Sequence, residues 1–285
     1  MGFNIVVLGA SGSFVEKRLF SRVSDLPWVL NRANELFGAD SGDMCLHFSG
    51  RSRPSIVVSL AAGDGQDYDT LSKLKNLLPY CAQARVPVIH LSSFHALGGL
   101  DPTGVYPDTT LVQKSDDEGL NIYAEFERLV GTLEKHVILR RSWILDASVG
   151  SMLSEFVPKI LAGEDFSVSD LNYGSPVSSV FLADAIVAII QQVLTGAENW
   201  GLYHVQSSDI CSEAEFCDYL VRQLTKVKEI DFRGPQVVPH ESAARYFSGA
   251  ANLSGRKLTD DFGIQPLSWK KGFGSMLKNW LKREQ

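Results

Sequence analysis

The residues best suited to chemistry begin with a glycine-rich turn near the amino terminus, "LGASGSFV" at 8–15. Gly9 and Gly12 follow the apolar run "FNIVVL" and precede a helical pattern. Such glycines let the backbone turn tightly and bring its amide groups close to a pyrophosphate at the start of the helix. The turn therefore predicts dinucleotide binding, and a purely structural turn is the alternative.

A second candidate is the pair of hydroxyls in "HLSSFHALGG" at 90–99. Ser92 and Ser93 follow the apolar run "VPVIHL", which predicts a central strand. Ligands of doubly wound sheets bind beyond the carboxyl ends of the strands, so either hydroxyl is placed to meet a substrate carbonyl. Serines also simply terminate strands, and this segment alone does not decide between the two interpretations.

The third candidate is Tyr123, which lies with Glu127 in "GLNIYAEFERLV" at 119–130. The segment predicts an amphipathic helix, and residues four apart share one face of a helix. A carboxylate near a phenol disfavours the phenolate form. No tyrosine in the chain has a lysine four residues later.

These candidates belong to a series of alternating strands and helices, which predicts an α/β fold with a doubly wound parallel sheet. Residues 1–150 are expected to form a Rossmann-like dinucleotide-binding domain, and 151–285 a smaller substrate-binding lobe interwoven with it. The segment 25–53 is the weakest, with a short strand near 44–48 but no strong second strand. That strand should end in the residue that selects NAD or NADP. Because the strand is unclear, the sequence does not show the choice, and Arg51 and Arg53 are only weak candidates for a 2′-phosphate contact.

Composition narrows the class of protein. The chain has 285 residues, 45% of them hydrophobic, and a net charge of −6, with no long basic run that would indicate nucleic-acid binding. No apolar run reaches the length of a membrane span, and the four cysteines lack metal or redox spacing. We therefore expect a cytoplasmic protein with reduced thiols. His90, His95 and His204 lack ligand spacing, so no metal site is predicted.

Taken together, the landmarks resemble a known family. The glycine turn, "LSS" at a central strand end, a tyrosine about 30 residues later and then "RRSW" resemble the extended short-chain dehydrogenase/reductases. Further landmarks look like the dTDP-4-dehydrorhamnose reductase subfamily in the same order. They are "LNYGSPVSSVFLADAIVAII", "GLYHVQ" and "NLSGRKLTDDFGIQPLSWKKGF". The resemblance spans nearly the whole chain.

The resemblance implies NAD(P)H-dependent reduction of a keto group on a nucleotide-linked sugar. Ser93 would hydrogen-bond the carbonyl and Tyr123 would donate the proton. NADP or NAD would be the cofactor, and "YGSP" at 173–176 would line the sugar-nucleotide pocket. The cofactor-binding positions carried over are Gly9, Ser11, Gly12, Ser13, Phe14, Ala61 and Ala62. Since family members often pair through helices, a homodimer is also expected.

Two positions depart from the family pattern. Val15 replaces the third glycine of the turn, and Glu127 replaces the lysine that binds the nicotinamide ribose and favours the tyrosine phenolate. These departures keep open a second hypothesis, a catalytically impaired or inactive homologue that binds a dinucleotide, a nucleotide sugar or a protein partner in a regulatory role. For an active enzyme, Glu127→Lys is expected to increase turnover.

Overall fold

Six parallel strands form the central sheet of the computed structural model, in the order β2-β1-β3-β4-β5-β10. The structure describes residues 2–9, 13–33, 53–60, 68–114, 119, 121–146, 151–232, 234–239 and 249–282. The sheet strands are β1 Phe3–Leu8, β2 Trp28–Arg32, β3 Ile56–Leu60, β4 Val88–Ser93, β5 His136–Arg141 and β10 Gly201–Val205. All five pairings between neighbours are parallel, which confirms the predicted fold class.

Six shorter strands pair outside the main sheet. They are β6 Ile144–Leu145, β7 Ser167–Ser169, β8 Tyr173–Gly174, β9 Val177–Ser178, β11 Cys211–Ser212 and β12 Gln236–Val238. The helices are α1 Phe14–Val23, α2 Tyr68–Ala84, α3 Asn121–Val130, α4 Met152–Ala162, α5 Ser179–Leu194, α6 Glu213–Leu224, α7 Lys257–Phe262 and α8 Phe273–Leu281. A 3₁₀ turn, Phe94–Ala96, follows β4 directly.

Helices cover both faces of the sheet, as a series of parallel βαβ units requires. One core packs α1 and α5 against residues such as Ile5 and Val7. The core on the opposite face packs α2 and α3 against residues such as Val6 and Val57. This alternation along β1 and β3 follows the two-residue period of a strand and explains why their sequences are apolar throughout.

A third core lies beyond the sheet and is built by α4, α6 and α8. Its largest side chains are aromatic, among them Phe156, Phe216, Trp269 and Phe273. Capping boxes at Ser151 and Ser212 fix the starts of α4 and α6. Meanwhile α5 and β10, from the same half of the chain, pack on the main sheet. The boundary at residue 150 stays a prediction.

The expectation that 25–53 lacks a strong second strand was wrong. The segment Trp28–Arg32 forms β2 and pairs with β1 along five residues, from Phe3 opposite Trp28 to Val7 opposite Arg32. As an edge strand it is only partly buried, so its sequence lacks the continuous apolar run of the inner strands. The strand expected near 44–48 lies outside the described residues.

Two observations concern the expectations about a membrane span and about reduced thiols. No helix among the described residues is long and apolar enough to cross a bilayer. Cys81, Cys211 and Cys217 are buried free thiols, and burial raises the pKa of the Cys81 thiol to about 12. They are therefore protonated at neutral pH and unsuited to nucleophilic chemistry.

Gly9 ends β1 in a conformation that only glycine adopts readily, with φ +81°. A Cβ atom there would lie 2.5 Å from the Leu60 carbonyl oxygen and 2.6 Å from a methyl carbon of Thr70. The chain thus passes between the end of β3 and the start of α2, where a side chain has no space. The glycine predicted to open the turn is required by both its backbone angle and its surroundings.

We expect Gly9→Ala to lower the free energy of unfolding by about 3 kcal/mol, because it adds a steric clash to backbone strain. Gly263→Ala is the matched control. Its φ is +69° and no atom lies within 4 Å of the added Cβ, so it should cost about 1 kcal/mol from backbone strain alone. Urea unfolding of both variants measures the difference. Equal losses would contradict the close approach at Gly9.

Candidate active site

The glycine turn leads into α1, whose amino terminus is capped by Ser13. The Ser13 Oγ accepts a hydrogen bond from the backbone N–H of Glu16 at 3.1 Å. Phe14 begins the helix. Ser11, Gly12, Ala61 and Ala62 lie outside the described residues. Gly9 follows β1, and Leu60 ends the neighbouring strand β3. The predicted cofactor-binding segments that begin after these two strands therefore both start where the strand order of the sheet reverses. Ligands of doubly wound sheets bind at this point.

Ser93 ends β4 and is fully buried. Its Oγ lies 2.8 Å from Nδ1 of His95, two residues along the chain in the 3₁₀ turn. Because successive strand residues face opposite sides, Ser92 points the other way and donates a hydrogen bond to Glu127 at 2.6 Å. The two adjacent serines therefore have different surroundings, and Ser93 is the one held beside His95.

Tyr123 stacks on a face of the His95 ring, whereas Ser93 meets the ring at its edge nitrogen Nδ1. The two ring centroids are 5.2 Å apart and the planes are inclined by 26°, which is a stacked arrangement. Tyr123 is 1% exposed. Ser93, His95 and Tyr123 thus form one contiguous cluster at the carboxyl end of β4. Sequence reasoning treated His95 as structural and had no signal for its place between the other two.

Glu127 lies one helical turn beyond Tyr123 and is buried in a strong ion pair with Arg140 of β5. Arg140 Nη2 donates to Glu127 Oε2 at 2.6 Å, and Arg140 Nε donates to Oε1 at 3.0 Å. Both side chains are at most 4% exposed. Glu127 is therefore not a lone carboxylate beside Tyr123, because Arg140 offsets its charge.

Arg140 also contacts two further segments through its remaining guanidinium nitrogen. Nη1 donates to the Thr110 carbonyl at 3.1 Å and lies 3.2 Å from Nε2 of His204 on β10. His204 Nδ1 in turn is 2.9 Å from the Ser254 carbonyl, so Nδ1 carries the proton and Nε2 accepts from Arg140. Burial and the adjacent guanidinium lower the pKa of His204 to about 3, and the ring is neutral.

This network gives a physical reason against the expected gain from Glu127→Lys. A lysine at 127 would place a second buried cation against Arg140 and remove the carboxylate that both Arg140 and Ser92 contact. Because Arg140 and Ser92 both bind the carboxylate at position 127, a lysine substituted there would meet a different environment from the one that the resemblance implies.

The "RRSW" and "YGSP" segments meet near the same edge of the sheet. Ser142 Oγ accepts a hydrogen bond from the Ser175 backbone N–H at 2.9 Å and donates to the Ala251 carbonyl at 2.6 Å. Trp143 packs against Gly174, where an added Cβ would lie 2.5 Å from the indole ring. The glycine of "YGSP" is therefore needed for close packing of the tryptophan.

β2 ends in Arg32, a basic residue that sequence reasoning missed together with the strand. Its Nε donates to Glu16 on α1 at 2.9 Å, and its guanidinium lies 4.4 Å from the centre of the Phe20 ring. The side chain remains 40% exposed. Arg53 instead precedes β3. It therefore lies at the amino-terminal ends of the strands, whereas the glycine turn lies at their carboxyl ends.

A cavity of about 410 Å³ lies between the amino ends of α1 and α5 and the carboxyl-terminal segment. Phe14 and Pro176 line it, together with Arg18, Phe181, Trp269 and Lys271. Neither Ser93 nor Tyr123 is among its lining residues. The cavity is next to the predicted cofactor turn but separate from the Ser93 and Tyr123 cluster.

In the part of the chain that the structure describes, no group of three His, Cys, Asp or Glu side chains could hold a metal ion. His90 is buried in the sheet, where Nδ1 lies 3.1 Å from Ser59 Oγ and the ring stacks on Phe126. Burial lowers the pKa of His90 to about 3. It is a neutral core side chain.

Comparison with known proteins adds to this geometry. Residues 71–282 match the model of the RmlD substrate binding domain, which is more than half of the chain. The chain belongs to this family.

Relatives of this RmlD-family chain include dTDP-4-dehydrorhamnose reductase of Escherichia coli strain K12. The two are 23% identical over 302 residues, covering 91% of this chain and 96% of the relative. Two crystal structures of dTDP-4-dehydrorhamnose reductases share the fold. The Clostridium acetobutylicum protein is 17% identical with a TM-score of 0.77. The Bacillus anthracis protein, in complex with NADP, is 19% identical with a TM-score of 0.72. Each alignment covers 98% of this chain and 100% of that chain.

We expect Glu127→Ala in this family member to lower the free energy of unfolding by about 3–5 kcal/mol, because it leaves Arg140 buried without its partner. Glu125→Ala is the control on the same helix. Glu125 pairs with Arg128, whose side chain is 64% exposed, so its loss should cost less than about 1 kcal/mol. Chemical unfolding followed by circular dichroism measures both. A loss at 127 no larger than at 125 would contradict the structural role of the buried pair.

Proposed function

We propose that the protein is an NAD(P)H-dependent reductase that acts on a keto group of a nucleotide-linked sugar. The observation that carries this proposal is the cluster of Ser93, His95 and Tyr123 at the carboxyl end of β4. Membership of the RmlD family and the names of the relatives support the same substrate class. A cytoplasmic location and a homodimer belong to the proposal as expectations.

In the proposed reaction the chain's own residues bind the carbonyl and deliver a proton. Ser93 donates a hydrogen bond to the carbonyl oxygen, and the Tyr123 hydroxyl transfers its proton to that oxygen as it becomes an alcohol. A reduced nicotinamide, when bound, supplies the hydride that the carbonyl carbon receives. His95 contacts both residues, with Ser93 Oγ at its Nδ1 and the Tyr123 ring stacked on its face, so the two side chains belong to one cluster.

The residues around the glycine turn fit a dinucleotide. At Gly9 the backbone passes through a space that a Cβ would fill, and a capped helix begins five residues later at Phe14. Backbone amides approach a pyrophosphate in this way. We assign cofactor binding to Gly9, Ser11, Gly12, Ser13, Phe14, Ala61 and Ala62. Arg32 at the end of β2 would favour NADP over NAD, because a basic residue near that position accommodates the 2′-phosphate.

A second candidate function is a catalytically impaired homologue that binds a nucleotide or a partner in a regulatory role. The observation that favours it is the burial of both reacting hydroxyls, with Ser93 0% and Tyr123 1% exposed. The exchange of the family lysine for Glu127 points the same way. Binding of the cofactor and turnover of the sugar separate the two candidates when they are measured independently.

We expect the protein to bind NADPH more tightly than NADH in titrations followed by nicotinamide fluorescence. Arg32→Gln, which keeps a hydrogen bond for Glu16, should weaken NADPH binding about 10-fold or more and leave NADH unchanged, since it removes a charge-assisted contact. Arg22→Gln is the control on α1, where Arg22 pairs with the exposed Asp184. Equal weakening of both nucleotides would contradict the assignment of Arg32. If neither NADPH nor NADH binds at millimolar concentration, the reductase proposal is disproved.

For turnover, we expect Tyr123→Phe to lower kcat on dTDP-4-dehydrorhamnose by at least about 100-fold, because it removes the proton donor. The dissociation constant of NADPH should stay the same. Tyr219→Phe is the control, since Tyr219 packs among Trp269 and Phe273 in the third core. Absorbance of NADPH follows the rate. Nucleotide binding without any turnover by the parent protein would favour the regulatory homologue instead.

A further inference from the structure

The hydroxyl of Ser93 makes two contacts with His95, two residues along the chain. Its Oγ lies 2.8 Å from Nδ1 of the His95 ring. It also caps the 3₁₀ turn by accepting a long hydrogen bond, 3.5 Å, from the His95 backbone N–H. Both side chains are buried, with Ser93 0% and His95 3% exposed. The short contact is therefore a hydrogen bond that bulk water does not weaken.

Aromatic neighbours hold the His95 ring in place. The ring centroids of His95 and Tyr123 are 5.2 Å apart, with planes inclined by 26°. Those of His95 and Phe94 are 4.1 Å apart, with planes inclined by 31°. Ring pairs of this kind contribute about 0.5–1.5 kcal/mol beyond the area that they bury. Nδ1 is consequently held beside Ser93 Oγ, and one of these two atoms donates the hydrogen between them.

The direction of this hydrogen bond decides what else Ser93 can bind. A serine hydroxyl has one hydrogen to donate and two lone pairs that accept. If Ser93 donates to Nδ1, its hydrogen is used, and a substrate carbonyl, which only accepts, finds no donor on Ser93. If Nδ1–H donates instead, the two lone pairs accept from Nδ1–H and from the His95 backbone N–H. The Ser93 hydrogen then stays available for a third partner.

We propose that His95 carries a proton on Nδ1 and donates it in the hydrogen bond to Ser93 Oγ, so that the Ser93 hydrogen is directed to the substrate carbonyl. The role in turnover rests on the proposed reductase function. His95 is a positioning residue, because it acts through Ser93 and transfers no proton itself. The proton of the alcohol still comes from Tyr123, and the hydride comes from the nicotinamide cofactor, which is oxidised.

A second serine–histidine pair in the same sheet provides a matched control. Nδ1 of His90 lies 3.1 Å from Ser59 Oγ, and both side chains are fully buried. Ser59 of β3 is opposite His90 of β4 in the strand register, and neither residue belongs to the cluster of Ser93, His95 and Tyr123. Removing the Ser59 hydroxyl therefore changes a buried contact of the same kind outside that cluster.

The first test is nitrogen-15 NMR of the protein labelled on its histidine rings, without cofactor or substrate. Long-range proton–nitrogen spectra show which ring nitrogen carries the proton in each of the six histidines. The signal lost in His95→Phe or in His95→Asn assigns His95, so either variant suffices, and Ser93→Ala should move the same signal. We expect Nδ1 of His95 to be protonated. A proton on Nε2 alone would overturn the inference, since Nδ1 would then accept from Ser93.

The second test follows turnover through the absorbance of NADPH. His95→Phe keeps an aromatic ring beside Tyr123 but removes Nδ1, and we expect it to lower kcat by about 10-fold or more. His95→Asn should restore most of the rate, since its side-chain amide donates from nearly the position of Nδ1. Ser93→Ala removes the donor to the carbonyl and should lower kcat by about 100-fold. In that background His95→Phe should add less than about 2-fold, because His95 has lost the residue through which it acts.

Ser59→Ala should leave kcat unchanged, and the dissociation constant of NADPH should be the same in all of these variants. Losses that multiply in the double variant would contradict the action of His95 through Ser93. A protein that binds the cofactor yet reduces no nucleotide-linked keto sugar disproves the reductase proposal. The nitrogen spectrum decides the direction of the hydrogen bond in either case, so failure of the inference and failure of the proposed function are distinguishable.

Discussion

The buried ion pair between Glu127 and Arg140 is the interaction on which the geometry of the site depends. It joins the helix that carries Tyr123 to the strand that neighbours Ser93, with two hydrogen bonds between the same two side chains. Removing two charges from water is costly, so such a pair is weak evidence for net stability. Its effect is geometric. The Glu127 carboxylate contacts both Arg140 and Ser92, and these contacts fix the position of α3 along the strands β4 and β5 and its rotation about the helix axis. The position of Tyr123, one turn earlier, follows from that constraint.

Much of the fold was predictable because the inner strands are buried on both faces. The apolar runs "FNIVVL" and "VPVIHL" predicted β1 and β4, and the observed boundaries differ from the predicted ones by two residues at most. β2 was missed because an edge strand buries less of its surface and carries polar residues such as Asn31 and Arg32. Because β2 was missed, its last residue, Arg32, was not considered. A preceding proline and the run "WVL" were the only local signals.

The candidate site was predictable at single positions but not in its pairings. Ser93 and Tyr123 could be placed at a strand end and on a helix face. The partner of Glu127 could not, because Arg140 lies 13 residues away on another element and only tertiary packing brings them together. "RRSW" served as a landmark, yet its two arginines have different partners. Alternation along a strand separates them: Arg140 faces Glu127 under α3, and Arg141 shares a face with Ser93.

The effect of the glutamate at position 127 on Tyr123 therefore differs from the effect that the local sequence suggests. Considered on the helix alone, it replaces a cation beside Tyr123 with an anion. In the folded protein the anion is bound by Arg140 at 2.6 Å, and the field of such a close pair decreases with distance faster than that of one charge. The charge of Glu127 that would act on the phenol is therefore offset from β5, the strand that carries Arg140. The environment of position 127 is therefore set by packing between α3 and β5, which the spacing of Tyr123 and Glu127 along the helix does not reveal.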